Sequence, residues 1–406
     1  MSSELARQLL GYCLRGEKWP DPLLQALIHD DSADDLFRIV VERMADLFEP
    51  RLCDAYAELF SEAIAGAVPG YDSARLLERY NRIRRPRKFT GDAERIATVF
   101  VLSRVTLGAE VAITSVILDG AKRRFTNADI VFAGSRKAWE MFAADPRIAH
   151  APVSYPRSGS VRDRLAAADH LTQLFSAPDS IVIDPDSRIT QLGVLPVCSE
   201  EQCYFFESRC YGGEGEESLS ALTRRWMVET FGMQNASAYI APHQSEWSFL
   251  RPHVSISLGV GENPAKRISD DFEQSLLAHV IQRGAHITID KGAGGEEAER
   301  VERALRASCA PSNRVQVWEG SFAGFASIIE QSDLYIGYDS AGQHVAAACG
   351  VPLITVFAGY PSPRMFYRWR PASRAAIEVI RVEATHSPQE VLSETLRAVD
   401  RMIKFA

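Results

Sequence analysis

The chain has 406 residues, 46 % of them hydrophobic and 24 % charged, the balance of an ordinary soluble globular protein. That length exceeds one common core and calls for two or three domains. A formal net charge of -8 leaves no global basic field, which argues against nucleic-acid binding as the main task.

The opening MSSELARQLLGYCLRGEKWP lacks the basic start and apolar stretch of a secretory leader. No apolar run has the length of a membrane span. A cytoplasmic soluble protein is expected, with peripheral membrane contact left open. ELARQLLGYCL, DPLLQALI, DDLFRIVVERMADLF, LCDAYAELFSEAIAGAV and SARLLERYNRI place apolar residues three and four apart, the period of amphipathic helices. Turn signals separate them at Trp19-Pro20-Asp21, Asp30-Asp31-Ser32, Glu49-Pro50 and Pro69-Gly70. Residues 1–90 are therefore expected to form an all-helical N-terminal domain, able to dock a protein or to pair copies into a homo-oligomer. The basic run RIRRPRK reads as a solvated linker or as a contact to phosphate or an acidic partner.

The pattern then changes. ATVFVLS, a turn holding Gly108, a helical stretch and ADIVFAG form a βαβ unit, the signature of a parallel sheet. SIVID and the helix ALTRRWMVETFGM continue it. A second alternation begins at HVSISLGVG and runs through HITID, VQVW, DLYIGYDS and PLITVFAG. Ser387, Pro388 and Glu390 open a last helix with a capping box. Two Rossmann-like doubly wound domains are expected, residues 91–248 and 249–406, with a ligand cleft between them. The C-terminal helix could pack back on the first of them.

Chemistry-bearing residues gather at strand ends. In DLYIGYDSAGQHVAAACGVP, Asp339 and Ser340 close a strand, and Ala341-Gly342 opens a helix whose free N–H groups favour an anion. Gly342 would let a ligand approach the backbone. His344 lies one turn on and can face the same ligand. A plain helix cap is the alternative. In SLGVGENPAKRIS, Gly261, Asn263, Lys266 and Arg267 suit a diphosphate, or else a basic surface loop. In RVTLGAEVAITS, Glu110 could serve as a general base, or sit at a helix start for the dipole alone. IDPDSRITQLGVLPV offers Asp184, Asp186 and Arg188 to an acceptor or to a local turn network. YPSPRMFYRWRP offers Arg364, Arg368 and Arg370, with Tyr367 and Trp369, to a phosphate or a sugar face, or to packing. Seven scattered cysteines (13, 53, 198, 203, 210, 309 and 349) make no disulfide framework. Cys198, Cys203 and Cys210 cluster without zinc-site spacing, and read as reduced thiols ahead of a metal or redox role.

GYDSAGQHVAAACGVPLITVFAG resembles the Asp-Ser/Thr-Gly…His…Ala-Ala…Gly-x-Pro signature of glycosyltransferase family 9, the heptosyltransferases. The stretch from VFVLSRVTLGAEVAITS to ADIVFAG is similar to that family's opening βαβ, and GENPAKR to its phosphate-binding Lys segment. The resemblance runs from Val99 to the C-terminus and leaves out the helical segment. It implies an α/β fold of the GT-B type, two Rossmann-like domains with the first holding the acceptor and the second the nucleotide-sugar. It also implies an inverting, metal-independent transfer of a heptose-like sugar from an ADP-sugar or other nucleotide-sugar, with no cofactor. Lys266 would neutralise the donor diphosphate, and Asp339, Ser340 and His344 would hold the donor, joined by Arg364 or Arg368. The acceptor would be a glycan, lipid-linked or protein hydroxyl. Two departures stand out. The family's catalytic Asp position is Ala109, with Glu110 one later, and its Gly after Asp-Ser/Thr is Ala341. A non-catalytic nucleotide-sugar-binding or assembly protein and a sugar-nucleotide epimerase are the alternative readings.

Overall fold

Five parallel strands, β1 (Thr98–Leu102), β2 (Asp129–Gly134), β3 (Ile148–Pro152), β4 (Ser180–Asp184) and β5 (Cys203–Phe205), pair in the order β3-β2-β1-β4-β5. Six more, β6 (His253–Ser257), β7 (His286–Asp290), β8 (Val315–Trp318), β9 (Leu334–Tyr338), β10 (Leu353–Phe357) and β11 (Ile377–Arg381), pair in parallel in the order β11-β10-β9-β6-β7-β8. The computed structural model describes residues 2–403 except 29–32, 245–247, 262, 293, 309–310 and 312. The turn at Asp30, Asp31 and Ser32, Glu262 of the lysine loop, and Cys309 therefore lie outside the described residues.

Both sheets are doubly wound, as the alternating pattern implies. Strands covered on both faces need near-continuous apolar runs, and β1, β4, β9 and β10 supply them. Val99 pairs with Ile130 and Ile181, and Ile256 with Ile289 and Ile336. Three strands carry no such run and escape a reading by apolarity: β3 (IAHAP), β5 (CYF) and β11 (IEVIR). Each closes an edge of its sheet, where one flank needs no apolar cover.

The chain divides into two compact units: residues 1–139, 146–237 and 361–368, and residues 140–145, 238–360 and 369–406. The expected border at residue 248 thus moves to 237, and a short segment near 365 joins the first unit.

In the first unit the five expected helices form, among them Ser2–Arg15, Asp21–Ile28, Pro50–Ala67 and Ser73–Ile83. They are not a separate domain. Leu9, Leu24, Phe37 and Phe60 share one hydrophobic core with Phe100 and Leu102 of β1 and Val182 of β4. The reason lies in the sheet: it exposes an apolar face, and the helices cover it. Nor is the basic run a linker. Arg82 grips the Glu200 carboxylate at 2.7 and 2.9 Å, Arg84 holds Glu207 at 3.1 Å, and Arg87 donates to the Cys203 carbonyl at 3.1 Å. These bonds clamp the last helix of the segment to the β5 edge.

In the second unit β6, β7, β9 and β10 form the centre of a core with Phe272, Leu276 and Val399. The C-terminal helix Pro388–Met402 starts at the expected capping box of Ser387 and Glu390. It packs on β10, β11 and the helix Asp270–Gln282 inside this unit. Its buried stripe of Val391, Thr395, Ala398 and Val399 explains the docking.

The shared core of the first unit makes a prediction. A chain beginning at residue 91 uncovers Phe100, Leu102 and Val182, and will lose the cooperative unfolding transition of the first unit. Urea denaturation followed by circular dichroism checks this.

Candidate functional site

Ligands of doubly wound sheets bind beyond the carboxyl ends of strands where the strand order reverses. In the second unit that point lies between β6 and β9, and the residues singled out in the sequence converge on it. The turn Pro264–Lys266 follows β6. Lys266 reaches over and donates to the Asp339 carboxylate at 2.7 Å and to the Asp339 carbonyl at 3.0 Å. Asp339 is 4 % exposed, so this is a nearly dry ion pair. Ser340 precedes the helix Ala341–Cys349 but makes no side-chain cap, unlike Ser269, Ser321 and Ser387 at their helices. The first N–H groups of that helix thus receive no side-chain cap from Ser340.

The sequence did not single out what holds the pair in place. Gln343 donates to the Asp339 carboxylate and accepts from Thr355 of β10 at 2.9 Å. Its amide also donates to His344 Nε2 at 3.4 Å. His344 is buried, and its ring lies 5.7 Å from that of Trp369. Burial pushes its pKa down to about 4; Asp339 opposes the fall and Lys266 adds to it. The imidazole is therefore neutral near pH 7, a hydrogen-bonding group rather than a cation. Asn263 caps the lysine turn, accepting from Ala265 N at 3.1 Å, and donates to the Gly359 carbonyl at 3.2 Å. Gly359, at a φ of 66°, lies with its Cα against the Ala265–Lys266 peptide, where a Cβ would overlap backbone atoms. A glycine two residues after the end of β10 was the available signal for it. Gly261 is exposed and needs its glycine for a φ of 59°.

Several expected site residues do other work. Arg267 is locked on the fully buried Glu273, with bonds of 2.9 and 3.0 Å, and also holds Asp270. Its guanidinium is spent on the next helix and does not serve a diphosphate. Gly342 offers no approach to a ligand, because the Tyr335 phenol ring fills the space a Cβ would take. Ala341, at the site of the family's glycine, is the first residue of the helix. Arg364 and Arg368 belong to the first unit. Arg364 donates to the Phe48 carbonyl at 3.0 Å, and Arg368, 1 % exposed, to the carbonyls of Gly213 and Glu217 at 2.8 and 2.9 Å. They tie down the 213–217 loop, the packing alternative for that segment.

The first unit's reversal point, between β1 and β4, is closed by its own side chains. Glu110 is wholly buried. Its carboxylate accepts from Ser103 Oγ and, at 2.8 Å, from Val105 N. Burial pushes its pKa up against the hydrogen bonds that lower it. With no exposed surface it cannot meet an acceptor hydroxyl, so the geometry corrects its reading as a general base. What it does hold is Val105 at a φ of 74°, a left-handed turn that a β-branched residue does not adopt unaided. Arg104 binds the Pro185 carbonyl at 3.0 Å and the buried Asp186 carboxylate, and Ser187 Oγ donates to the Ser103 carbonyl. Asp184 accepts from Ser187 N at 2.7 Å and Thr190 Oγ1 at 2.6 Å, while burial raises it to about 6. Asp184 and Asp186 thus form the local turn network, and Arg188 pairs with Glu42 at 3.4 Å.

Two parallel doubly wound sheets, each with its reversal point in the middle, define the α/β class of the GT-B glycosyltransferases. Among solved structures, a glycosyl transferase family 9 protein from Veillonella parvula DSM 2008 superposes with a TM-score of 0.57 at 15 % identity, covering 76 % of this chain and 97 % of that one. The E. coli heptosyltransferase WaaC with ADP-2-deoxy-2-fluoro heptose gives 0.53 at 13 % identity, over 74 % and 99 %. Residues 225–398 match the model of Glycosyltransferase family 9 (heptosyltransferase). The chain is also 26 % identical over 177 residues to lipopolysaccharide heptosyltransferase 3 of E. coli, a match covering 41 % of this chain. It spans about half of that relative's length, 49 %. The resemblance to family 9 read from the motifs is therefore found again, and the family match contains Lys266, Asp339, Ser340 and His344 but not Glu110. No helix among the described residues is long and apolar enough to cross a membrane.

The buried imidazole sets a pH dependence. A histidine whose folded pKa is depressed contributes stability that is whole above its unfolded value and is lost as pH falls toward the folded one. For His344 that window runs from about 6.5 down to about 4, and full loss amounts to about 3 kcal/mol. His253, also held at about 4 by burial, adds to the same slope. His344→Gln is expected to flatten the fall in urea midpoint between neutral and acid pH, leaving the His253 part.

Proposed function

We propose that the chain transfers a heptose-like sugar from a nucleotide-sugar, ADP-linked, to an acceptor hydroxyl, with inversion and without a metal ion. The observation that carries this reading is the Lys266–Asp339 pair in front of an uncapped helix N-terminus at the β6/β9 reversal point. A departing nucleoside diphosphate needs positive charge that is already in place. Lys266 supplies a mobile cation, and the first turn of the helix supplies oriented N–H groups. When the diphosphate arrives, the ammonium exchanges one oxygen anion for another, and Asp339 keeps the Gln343 amide as its partner. Asp339 and Ser340 then face the donor's hydroxyls, and the neutral His344 offers it a hydrogen bond. The bound ADP-fluoroheptose named for the E. coli heptosyltransferase supports an ADP-linked donor. The direction of stereochemistry follows the family resemblance. The acceptor is a glycan, lipid-linked or protein hydroxyl, and the helical segment is proposed as a surface for a protein partner or a second copy.

A second reading has an observation of its own. Ala109 is 1 % exposed and Glu110 is sealed beneath it, so neither presents a base where the family has its Asp. A nucleotide-sugar-binding protein without transfer would look the same on the donor side.

Two measurements separate these readings. ADP should raise the thermal midpoint of the wild type, because a ligand of the native state alone stabilises it. Lys266→Met should weaken ADP binding ~10- to 100-fold, the worth of one charge-assisted bond. A wild type indifferent to ADP and to other nucleoside diphosphates would sink both readings. Mass spectrometry of a nucleotide-sugar panel with candidate acceptors then decides between them: sugar transfer supports the enzyme, and tight binding without turnover supports the binding protein.

A further inference from the structure

Two cysteines far apart in sequence meet in space. Cys53, buried in the helix Pro50–Ala67, has its sulfur within 4.8 Å of that of Cys210, which lies seven residues past the start of β5. An acid and a base surround this pair. The two sulfurs and a carboxylate oxygen of Glu207 all lie within 4.8 Å of one another. The Cys210 thiol donates to Glu207 Oε2 at 2.7 Å. Arg84 sets Nη2 at 3.5 Å from the Cys210 sulfur and Nε at 3.1 Å from the same carboxylate. Cys210 is half-buried and lines a cavity of about 490 Å³ together with Arg84, Arg85 and Trp226, so a small solute can reach its sulfur.

We propose that Cys210 is a peroxide-reactive thiol and Cys53 its resolving partner, so that oxidation staples the helical segment to the loop after β5. Glu207 takes the Cys210 proton, and the Arg84 cation steadies the thiolate. The sulfur attacks one peroxide oxygen, the O–O bond breaks, and the hydroxide released takes up the proton to leave as water. Cys210 is then a sulfenic acid. Cys53 displaces its hydroxyl, which leaves with the Cys53 proton as a second water. Two thiols and one peroxide give one disulfide and two waters, the sulfurs losing the two electrons that the peroxide gains.

The same three atoms could be taken for a soft-metal site. Against this, the Glu207 carboxylate already accepts from the Tyr80 hydroxyl and from Arg84, which puts a fixed cation beside the place a metal would occupy. The staple would act on a loop with work to do: a few residues on, its Gly213 and Glu217 carbonyls receive the buried Arg368.

The test uses the full, reduced chain, a small excess of hydrogen peroxide, and peptide mapping without reductant. The expected product is a Cys53–Cys210 linked peptide pair lighter by two hydrogens, reversed by dithiothreitol, with a thermal midpoint several degrees higher. Cys53→Ser should stop at a sulfenic acid on Cys210 that dimedone traps, and Cys210→Ser should give neither product. If Cys53→Ser does not fold, the half-exposed Cys210→Ser still decides. Cys210 left unmodified while other thiols oxidise would overturn the proposal. So would a stoichiometric metal in the untreated protein that is lost on Cys210→Ser.

Discussion

A doubly wound sheet has to reverse the direction in which its strands are added, and both sheets here do so beside their first strand. At that place the loops leaving two neighbouring strands diverge, and the backbone cannot fill the gap it has made. Something polar must, because loop backbone ends there. In the second unit the gap holds a lysine and an aspartate that face each other. In the first it holds Asp186, Asp184 and Glu110, all buried, with Arg104 half-buried beside them. One topological rule thus produces a site on one sheet and a plug on the other. The difference is a matter of how many buried partners each charge has.

That count also bears on the donor grip proposed for the lysine. A buried carboxylate left without a partner is costly, so a cation that moves from it to a substrate normally pays a penalty. Asp339 is spared this by Gln343, whose amide is fixed from behind by Thr355. His344, neutral because it is buried, adds no charge that would compete with Lys266. Arg267 shows the opposite case: with three carboxylate bonds and a buried partner, its charge is committed to the fold.

Much of this was legible in the sequence. The helices of the first ninety residues follow from apolar spacing, and eight of the eleven strands from apolar runs. The motif after β9 stood out because Asp, Ser and His at a strand end have no role in a core, and it falls at the reversal point of the second sheet. What stayed hidden depends on contacts between distant residues. Nothing local in SARLLERYNRI says that its apolar stripe will share a core with β1. Arg364 and Arg368 read as anion ligands because an arginine among aromatics looks the same whether it meets a phosphate or a carbonyl. Glu110 read as a base because burial cannot be seen from a helix start. Gly342 was taken for ligand clearance, when the crowding neighbour was Tyr335 in the preceding strand.

Gly359 carries a consequence for how this chain can drift over generations. Its bare Cα rests on the peptide that ends at Lys266, so the loop after β10 and the lysine turn share one volume. A larger residue at 359 would push on the Ala265–Lys266 peptide and displace the lysine turn. Substitutions at 359 are therefore tolerated only alongside a rebuilt 263–266 turn, and the two stretches are expected to vary together across relatives although nearly a hundred residues separate them.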